Sequence, residues 1–576
     1  MILKALYDYY YRSKDLPPIG LEYKDFYFLL VINKEGKFIR LEDSRIDADS
    51  AKSYLVLQTV ERTSTPIANV CWDNFSYVLN LSEEVSKADT EPALKKAKEK
   101  NLKKYDTFVA RIKELQSKLP DNESLKALSL FYAHSNEEII SNLSQDPLWD
   151  DFCKNITRNI SFRLEGSDTI IAEDPAIIDV VLKETDGKGV KERCLVTGIV
   201  ETIAITQRAI AGLGGQQKPK LVSFQKSSGY DSYGKEQGYN APISKEAAFT
   251  ITTALNRLLE KGSKNKFSLG SRKYVFWATG DTEVSREAEN CFYSFFNLNQ
   301  EEDPDQGTQK VEKVFKSIFS GERPTDANDK FYILGLTQNV ARIAVVYWKE
   351  ISIRDFARNL LQHFDDMEII DNRQNKTNYK GVYQMAASAS LKGKVDDLSP
   401  NILESTIKSV FEGTAYPYTL YMACLRRVRA EQQLTLGRAA VIKAYLNRQS
   451  NNHNKLTAML DVNNKNAGYV CGRLFATLEY LQKTSSGIDS IRQRYMNAAS
   501  STPAAVFGNL MNLSIHHEDK LDKEGQVVFF KKIKNDILDL LSAEGFPAHL
   551  DIQDQGRFFV GYHHQMSEFY RKKEEK

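Results

Sequence analysis

Strand-like patterns are confined to the first part of this chain, and helical patterns fill the remainder. Up to Trp348, short apolar runs rich in β-branched and aromatic residues alternate with helical stretches. After Trp348, apolar residues recur almost entirely at helical spacing. The sequence therefore predicts an α+β protein, with a mixed α/β N-terminal domain that contains an antiparallel sheet (residues 1–349) and a C-terminal α-helical bundle (residues 350–576).

Hydrophobic periodicity places individual elements in both parts of the chain. The predicted strands cover residues 26–32, 37–41, 54–61, 161–164, 193–197, 220–224, 273–278, 331–336 and 341–347. Polar turns at 33–36 and 337–339 predict two hairpins. The predicted helices cover residues 2–12, 83–119, 352–364, 401–412, 418–431, 436–447, 469–483, 509–519, 526–542 and 555–573. The polar segment 371–399 predicts a long loop.

The composition limits the classes of function. A chain of 576 residues exceeds one hydrophobic core, which predicts several domains. The net charge is only +2, so any nucleic-acid surface must come from local clustering of basic residues. The six cysteines lie far apart and outside CxxC or Cys/His pairs, which argues against a zinc site. The sequence has no signal-peptide pattern and no apolar run of roughly 18 residues, so we expect a reduced, cytoplasmic protein without membrane contact.

The polar stretch from Gly212 to Asn256 has the composition of a loop that contacts nucleic acid. Glycine permits close approach of the backbone, lysine offers charge to phosphate, and glutamine and asparagine can pair with base edges. A helix is predicted to begin after Pro242, with Ser244 as its N-cap. The alternative is an ordinary polar loop that only reverses the chain direction.

Motifs for catalysis and metal binding are incomplete. The run Gly212–Gly215 lacks the Gly-Lys-Ser/Thr of a Walker loop and the third glycine of a dinucleotide fingerprint. The pairs His516–His517 and His563–His564 are interpreted as solvated helix ends, because adjacent residues on a helix point about 100° apart. Nothing nearby completes a nuclease site around Asp365–Asp366. We therefore expect no catalytic residue, no metal and no cofactor.

Basic residues cluster in two helical regions, and each cluster has two interpretations. The first cluster is either a solvated helix face or an edge that follows a phosphate backbone. Its members are Lys95, Lys96, Lys98, Lys100, Lys103 and Lys104. The second cluster either lines a groove for a nucleic-acid backbone or pairs with carboxylates inside the bundle. Its members are Arg426, Arg427, Arg429, Arg438, Lys443 and Arg448, extended by Arg473, Arg492 and Arg494.

Asn74 belongs to a short polar pair between aromatic residues, within the segment Cys71 to Leu79. An asparagine side chain can form paired hydrogen bonds with a base edge. The pair Asp73–Asn74 suits a turn or the N-cap of a helix equally well. The residues alone favour the cap.

Several segments, taken in order, resemble one known family. The sequence from Leu221 to Ser244, followed by Glu246 to Leu259, closely resembles the signature of the large subunit of the type I-C CRISPR interference complex (Cascade). Other segments resemble later and earlier landmarks of that family: residues 1–10, 194–198, 331–336 with Asn339 and Arg342, and Arg557 with 561–565. Their correct order along nearly the whole chain identifies it as a member of that family.

The resemblance implies a non-enzymatic subunit of a crRNA-guided surveillance complex. Such a subunit lies at the end of the complex that holds the 5′ handle of the guide. It recognises the protospacer-adjacent motif in double-stranded DNA, helps to open the duplex and presents a surface to the helicase-nuclease. The implied partners are the crRNA, the target DNA, the backbone and handle-binding subunits, the small subunit and the helicase-nuclease. Base pairing then reads most of the target, and protein reads only a short duplex motif.

The resemblance and the residue types together assign expected contacts. Motif reading, or wedging between base pairs at a cost of a few kcal/mol, is expected of Asn74, Gly214, Gly215, Gln216, Gln217 and Lys218. Phosphate binding is expected of Lys226, Tyr233, Lys235, Gln237 and Asn240. Strand tracking is expected of Arg426, Arg427, Arg429, Arg438, Lys443, Arg448 and Arg473.

The end of the chain resembles a second product of the same gene. In type I-C systems a small subunit arises by internal initiation, and Met459 with the residues after it resembles the start of that product. Residues 459–576 contain enough predicted helices for a bundle of their own. The alternative is an ordinary core methionine. Intact-mass analysis of the gene products decides, and absence of a fragment that begins at Met459 contradicts the internal start.

Two other functions stay open at this point. One is a helical scaffold that binds only protein, and the other is a nucleic-acid-processing enzyme with an unrecognised site. A steep fall of DNA affinity with salt argues against the scaffold, because phosphate contacts release counterions. The incomplete acid–base and ligand sets argue against the enzyme.

Overall fold

The computed structural model describes residues 2–62, 65–185, 187, 189–215, 217, 219–227, 229–231, 233–280, 282–296, 304–322, 329–373, 381–449 and 455–571. The chain forms two compact units. Unit 1 comprises Met1–Arg12, Ile210–Pro219 and Leu255–Lys576, and unit 2 comprises Ser13–Ala209 and Lys220–Ala254. Each unit is therefore assembled from segments that are separated in the sequence.

The strands and helices confirm the predicted α+β class. The strands are β1 (Leu21–Asp25), β2 (Phe28–Ile32), β3 (Phe38–Asp43), β4 (Ser53–Leu57), β5 (Trp72–Asn74), β6 (Asn159–Leu164), β7 (Lys191–Arg193), β8 (Val200–Thr202), β9 (Lys266–Leu269), β10 (Arg272–Ala278), β11 (Lys330–Asn339) and β12 (Arg342–Ser352).

The helices up to the end of β12 are α1 (Ile2–Arg12), α2 (Phe75–Val78), α3 (Glu83–Ser86), α4 (Glu91–Lys118), α5 (Glu123–Phe131), α6 (Asn136–Leu143), α7 (Trp149–Lys154), α8 (Pro175–Thr185), α9 (Lys245–Leu259), α10 (Glu283–Phe296) and α11 (Pro304–Ser320). The later helices are α12 (Ile353–Met367), α13 (Val382–Ala389), α14 (Pro400–Glu412), α15 (Tyr418–Glu431), α16 (Leu436–Gln449), α17 (Ala467–Ser486), α18 (Ile491–Ala499), α19 (Pro503–Glu518), α20 (Glu524–Leu538) and α21 (Ile552–Phe569). Within the described residues, no helix is long and apolar enough to cross a membrane.

Unit 2 is built around a four-stranded mixed sheet. The strand order is β3-β2-β6-β5, with β2 parallel to β6 and antiparallel to β3. Every residue of β2 is buried, which explains why this strand is a continuous apolar run instead of an alternating one. Tyr105, Phe108 and Ile112 of α4 recur at helical spacing and join the same core. The sheet and α4 thus hold β5 and the residues after it in place.

Unit 1 combines an antiparallel sheet with the helical bundle. The strand order is β12-β11-β10-β9. The ring of Phe331 on β11 stacks on Phe356 of α12 with centroids 4.7 Å apart, and Phe356 lies 5.7 Å from Phe411 of α14. One core therefore runs from sheet to bundle, because the apolar sheet face is covered by these helices. The predicted boundary at residue 349 falls near the end of β12, inside unit 1.

Helices α17 and α21 cross with their backbones in close contact. Gly468 and Gly472 of α17 and Gly561 of α21 lie at the crossing. A Cβ atom on Gly472 would overlap the carbonyl oxygen of Phe558, and one on Gly561 would overlap that of Tyr469. Only glycine leaves room for two helix backbones at this separation.

Most strongly periodic elements are confirmed, and four predictions are wrong. The predicted strand 193–197 is absent beyond Arg193, because residues 194–199 form the turn between β7 and β8. The predicted strand 220–224 is absent, because Lys220 forms only an isolated bridge with Ala209. The predicted loop 371–399 contains α13, whose Met385 and Ala386 are buried in the core of unit 1. The predicted turn 337–339 belongs to β11, and the turn lies at 340–341.

Candidate nucleic-acid interface

Asn74 ends β5 and caps α2. Its Oδ1 accepts hydrogen bonds from the Ser76 backbone N–H at 3.1 Å and from the Ser76 hydroxyl at 2.6 Å. The N-cap that the residues alone favoured is thus present. Its Nδ2 donates to no protein acceptor in the part of the chain that the structure describes. The cap fixes the side chain through its oxygen and leaves the amide NH₂ group for a ligand.

A buried carboxylate holds the backbone of Asn74. Asp73 is 1% exposed, and its two oxygens accept the backbone N–H groups of Asn74 at 2.8 Å and Asn69 at 2.9 Å. Arg62 forms an ion pair with the same carboxylate. Burial raises the pKa of Asp73 against the opposing effect of Arg62. These contacts fix the position from which Asn74 presents its amide.

Two cations share the ring of Tyr77 beside this cap. The Arg62 guanidinium lies 4.1 Å from the ring centroid, and Lys104 Nζ of α4 lies 5.8 Å from it. Lys104 also donates to the Ser76 hydroxyl at 3.3 Å. Burial, together with the charges of Lys100 and Arg62, lowers the pKa of Lys104. The result is a local excess of positive charge beside a free amide donor.

The backbone is strained on both sides of this segment. Cys71 and Asn80 have φ angles of 60° and 59°, a region that residues other than glycine rarely adopt, although asparagine does so more often than most. Such residues cost on the order of 1–3 kcal/mol each and persist only where the surrounding structure holds them. Strain of this kind is concentrated at functional sites, which supports a binding role for the segment between the two residues.

The glycine loop, residues 210–219, is an exposed tip on a closed stem within unit 1. Ile210 N–H donates to the Pro219 carbonyl at 2.7 Å, and buried Leu213 anchors the loop. Gln338 of β11 donates to the Gln217 carbonyl at 2.7 Å, and a Cβ atom on Gly215 would lie 2.5 Å from its amide group. Gly214, Gly215 and Gln217 are exposed, whereas Gln216 and Lys218 lie outside the described residues. The wedge role of this loop stays a prediction.

The expected phosphate-binding residues of unit 2 differ in their exposure and in their protein partners. Tyr233 is 94% exposed, and Lys226 is exposed as well. Lys235 forms an ion pair with Glu192 at 2.9 Å. The Asn240 amide donates to the carbonyls of Tyr230, Lys235 and Gln237, so it organises its own loop. Gln237, with φ 45°, is half-buried. Lys226 and Tyr233 are the members of this set best placed for a ligand.

The basic cluster of the bundle is largely internal. Arg438 is 5% exposed and pairs with Glu431 at 2.6 Å, and Lys443 is 2% exposed and donates to the carbonyls of Asp365 and Asp366. Arg448 pairs with the Asp366 carboxylate at 2.6 Å. Their charges are matched by protein acceptors, so these three do not line an open groove.

The remaining members of that cluster differ from one another. Arg473, 5% exposed, donates to the Gln565 side chain and the Val462 carbonyl, both at 3.1 Å. Arg429 bonds Gln555, and Arg427 lies 3.9 Å from Glu431. Only Arg426 of the seven is exposed, and it has no protein partner in the described part of the chain. These positions favour the alternative interpretation, in which the bundle uses most of these cations internally.

The two histidine pairs differ as well. His516 is exposed at the end of α19, as expected, whereas His517 beside it is half-buried. The prediction for His563 and His564 is wrong, because α21 is packed on all sides there and both are buried. Burial lowers the pKa of His563 to about 4, and its ring contacts Arg373 at 3.2 Å. Within the described residues, no group of three or more His, Cys, Asp or Glu side chains is arranged to hold a metal ion.

Sequence reasoning missed Arg62 and Tyr77, which complete the surroundings of Asn74. Arg62 lies in a polar stretch without periodicity, and its partner Asp73 is 11 residues away. Lys104 belonged to the lysine run, but nothing in the run singled it out. Arg62 and Lys104 are therefore two cations of the site that no local sequence pattern identifies.

Comparison with known proteins identifies the family. Residues 6–570 match the family model described as CRISPR-associated protein (Cas_Csd1). No curated protein matches the chain. The family match confirms the CRISPR association implied by the ordered sequence landmarks. Because the match covers nearly the whole chain, this protein belongs to the CRISPR-associated Cas_Csd1 family.

Proposed function

We propose that this protein is the non-enzymatic large subunit of a crRNA-guided type I-C surveillance complex, and that it reads the protospacer-adjacent motif in double-stranded DNA. The family match supports membership in a CRISPR complex. The observation that carries motif reading is Asn74, whose oxygen is fixed by the cap while its NH₂ group is unused. The ion pair between Arg62 and buried Asp73 lies beside it, and Lys104 is a second cation nearby.

The geometry suggests which half of a base contact Asn74 makes. Because Oδ1 is occupied by Ser76, Asn74 acts as a hydrogen-bond donor and selects bases that present an acceptor in the groove. Lys104, whose hydrogen-bond partner is a hydroxyl, supplies positive charge for an adjoining phosphate, while the charge of Arg62 is matched by Asp73. The protein thus reads a short duplex motif, and guide pairing reads the remainder of the target.

The other roles of this subunit are assigned to separate parts of the chain. The exposed tip of the glycine loop acts as the wedge that helps to open the duplex, and Leu213 holds its base. The helical bundle supports the displaced strand and presents a surface to the helicase-nuclease. Met459 lies between α16 and α17, so an internal product that starts there contains α17 to α21 intact. Because these helices are complete in the internal product, they support a small subunit that folds separately.

The proposal is tested by reconstituting the complex from its backbone subunits and guide, with this chain supplied or omitted. DNA binding is then measured for both preparations. We expect tight binding of a flanked target to require the chain and to weaken steeply as salt rises. A protein-only scaffold would leave both the affinity and its salt dependence unchanged once the remaining subunits have assembled. That result would overturn the proposed function.

A further inference from the structure

Four lysines of α4 form a continuous strip on one side of the helix. Lys96, Lys100, Lys103 and Lys104 recur at intervals of four, three and one residues, so their side chains lie within about 100° of one another around the axis. The buried face of α4 is a different one, formed by Ala97, Asn101, Tyr105, Phe108, Ile112 and Leu115. We call the four lysines the lysine strip.

The charges of the lysine strip are mostly not neutralised by the protein. Lys96 and Lys103 are exposed and form no ion pair in the described part of the chain. Lys100 pairs with Glu84 at 2.9 Å, but both side chains are more than half exposed, so the pair contributes little. Lys104 has a hydroxyl for its hydrogen-bond partner instead of a carboxylate. The strip therefore has cations available for an anionic ligand.

The strip ends at the base-reading residue. Lys104 donates to the Ser76 hydroxyl, and the same hydroxyl donates to Asn74 Oδ1 at 2.6 Å. From Lys96 to Lys104 the helix rises about 12 Å, at about 1.5 Å per residue. This length corresponds to roughly three to four nucleotides of one strand at about 3.4 Å each. A phosphate backbone laid along the strip thus reaches Asn74 directly.

We propose that the lysine strip binds one phosphate backbone of the DNA duplex that flanks the target, and so positions the base edges at Asn74. This inference rests on the proposed function, because it names the surface that holds the same duplex. Two observations carry it. Four lysines lie on one side of the helix, and only Lys100 forms an ion pair, which is exposed. Two hydrogen bonds connect Lys104, through the Ser76 hydroxyl, to Asn74 Oδ1. Phosphate contacts set the register of a protein on DNA, and base contacts then select the sequence.

Two double variants that lose the same charge distinguish a specific role of the lysine strip from a general effect of positive charge on DNA binding. The strip variant is Lys96→Gln with Lys103→Gln, and the control is Lys95→Gln with Lys98→Gln on other sides of the same helix. All four lysines are exposed and without ion pairs among the described residues, so both variants should fold and melt like the unmodified protein. Each is assembled into the reconstituted complex and titrated with flanked duplex over a range of salt concentrations.

We expect the strip variant to lower the slope of log Kd against log salt by about 1.8, since each lost phosphate contact removes about 0.9. Its preference among flanking sequences should persist, because Asn74 is intact. The control should match the unmodified complex. Equal slopes for the strip variant and the control overturn the proposal while leaving the proposed function standing. Loss of the strip variant from the complex on size-exclusion chromatography also overturns it, because the strip then contacts a protein or the guide.

Discussion

Replacement of Asn74 by Ser is expected to abolish selection of the flanking motif without loss of stability. The Ser hydroxyl can cap α2 as Asn does, because both accept the backbone N–H of the first turn. It lacks the amide NH₂ group that we assign to the base contact. One such contact is worth about 1–3 kcal/mol of discrimination. The ratio of Kd values for the preferred and a shuffled flank should fall roughly 5- to 150-fold in the reconstituted complex.

Asn74→Ala serves as the matched control, because it removes the cap as well as the amide. It should lose motif selection to the same extent and also lower the free energy of unfolding by about 1 kcal/mol. Thermal melts of the two variants separate the effects. If Asn74→Ser retains the full flank preference, the base contact is made elsewhere and the assignment is wrong.

Gly472→Ala is expected to cause the largest loss of stability from a single added methyl group. Its Cβ would overlap the Phe558 carbonyl oxygen and lie 2.9 Å from the Tyr562 backbone nitrogen. Both are helix backbone atoms, so α17 and α21 must separate along their length. Overpacking of a core costs about 1–3 kcal/mol, and more where backbones must move. We expect a loss of about 3 kcal/mol or more in urea denaturation.

Gly508→Ala on α19 is the control for Gly472→Ala. No atom lies within 4 Å of the position its Cβ would take. Ala favours the helix over Gly by roughly 0.8–1.0 kcal/mol, so this variant should be slightly more stable than the unmodified protein. Equal effects of the two substitutions would show that the backbones of α17 and α21 are not in contact at Gly472. Because both glycines follow Met459, a separate small subunit should show the same contrast.

Local periodicity predicted those elements whose pattern is complete within the segment. The helix Tyr418–Glu431 and the β2–β3 hairpin are examples. The segment 220–224 has a strand pattern but no partner strand, and pairing depends on distant residues. Residues 1–12 and 210–219 belong to unit 1, although they are far in sequence from its main segment. Hydrophobic periodicity within a segment does not show which distant segments of the chain pack into the same unit.

The role of a candidate residue could be predicted where its sequence neighbours determine that role. It could not be predicted where the role depends on a partner that is distant in the sequence. Asn74 was marked by its neighbours, and the N-cap was one of the two interpretations of the pair Asp73–Asn74. Arg448 was expected either to track a strand or to pair within the bundle, and the partner that decides this, Asp366, is 82 residues away. His563 looked like a helix end, but Ile370 and Arg373 enclose it. The sequence shows which groups carry charge, and only the fold shows which charges are already matched.

The most direct test of motif reading is a titration of the reconstituted complex against targets with randomised flanking bases, with this chain supplied or omitted. We predict that a narrow set of flanks is enriched only when the chain is present, and that Asn74→Ser broadens this set to the level seen without it. Equal enrichment with and without the chain would contradict motif reading by this protein.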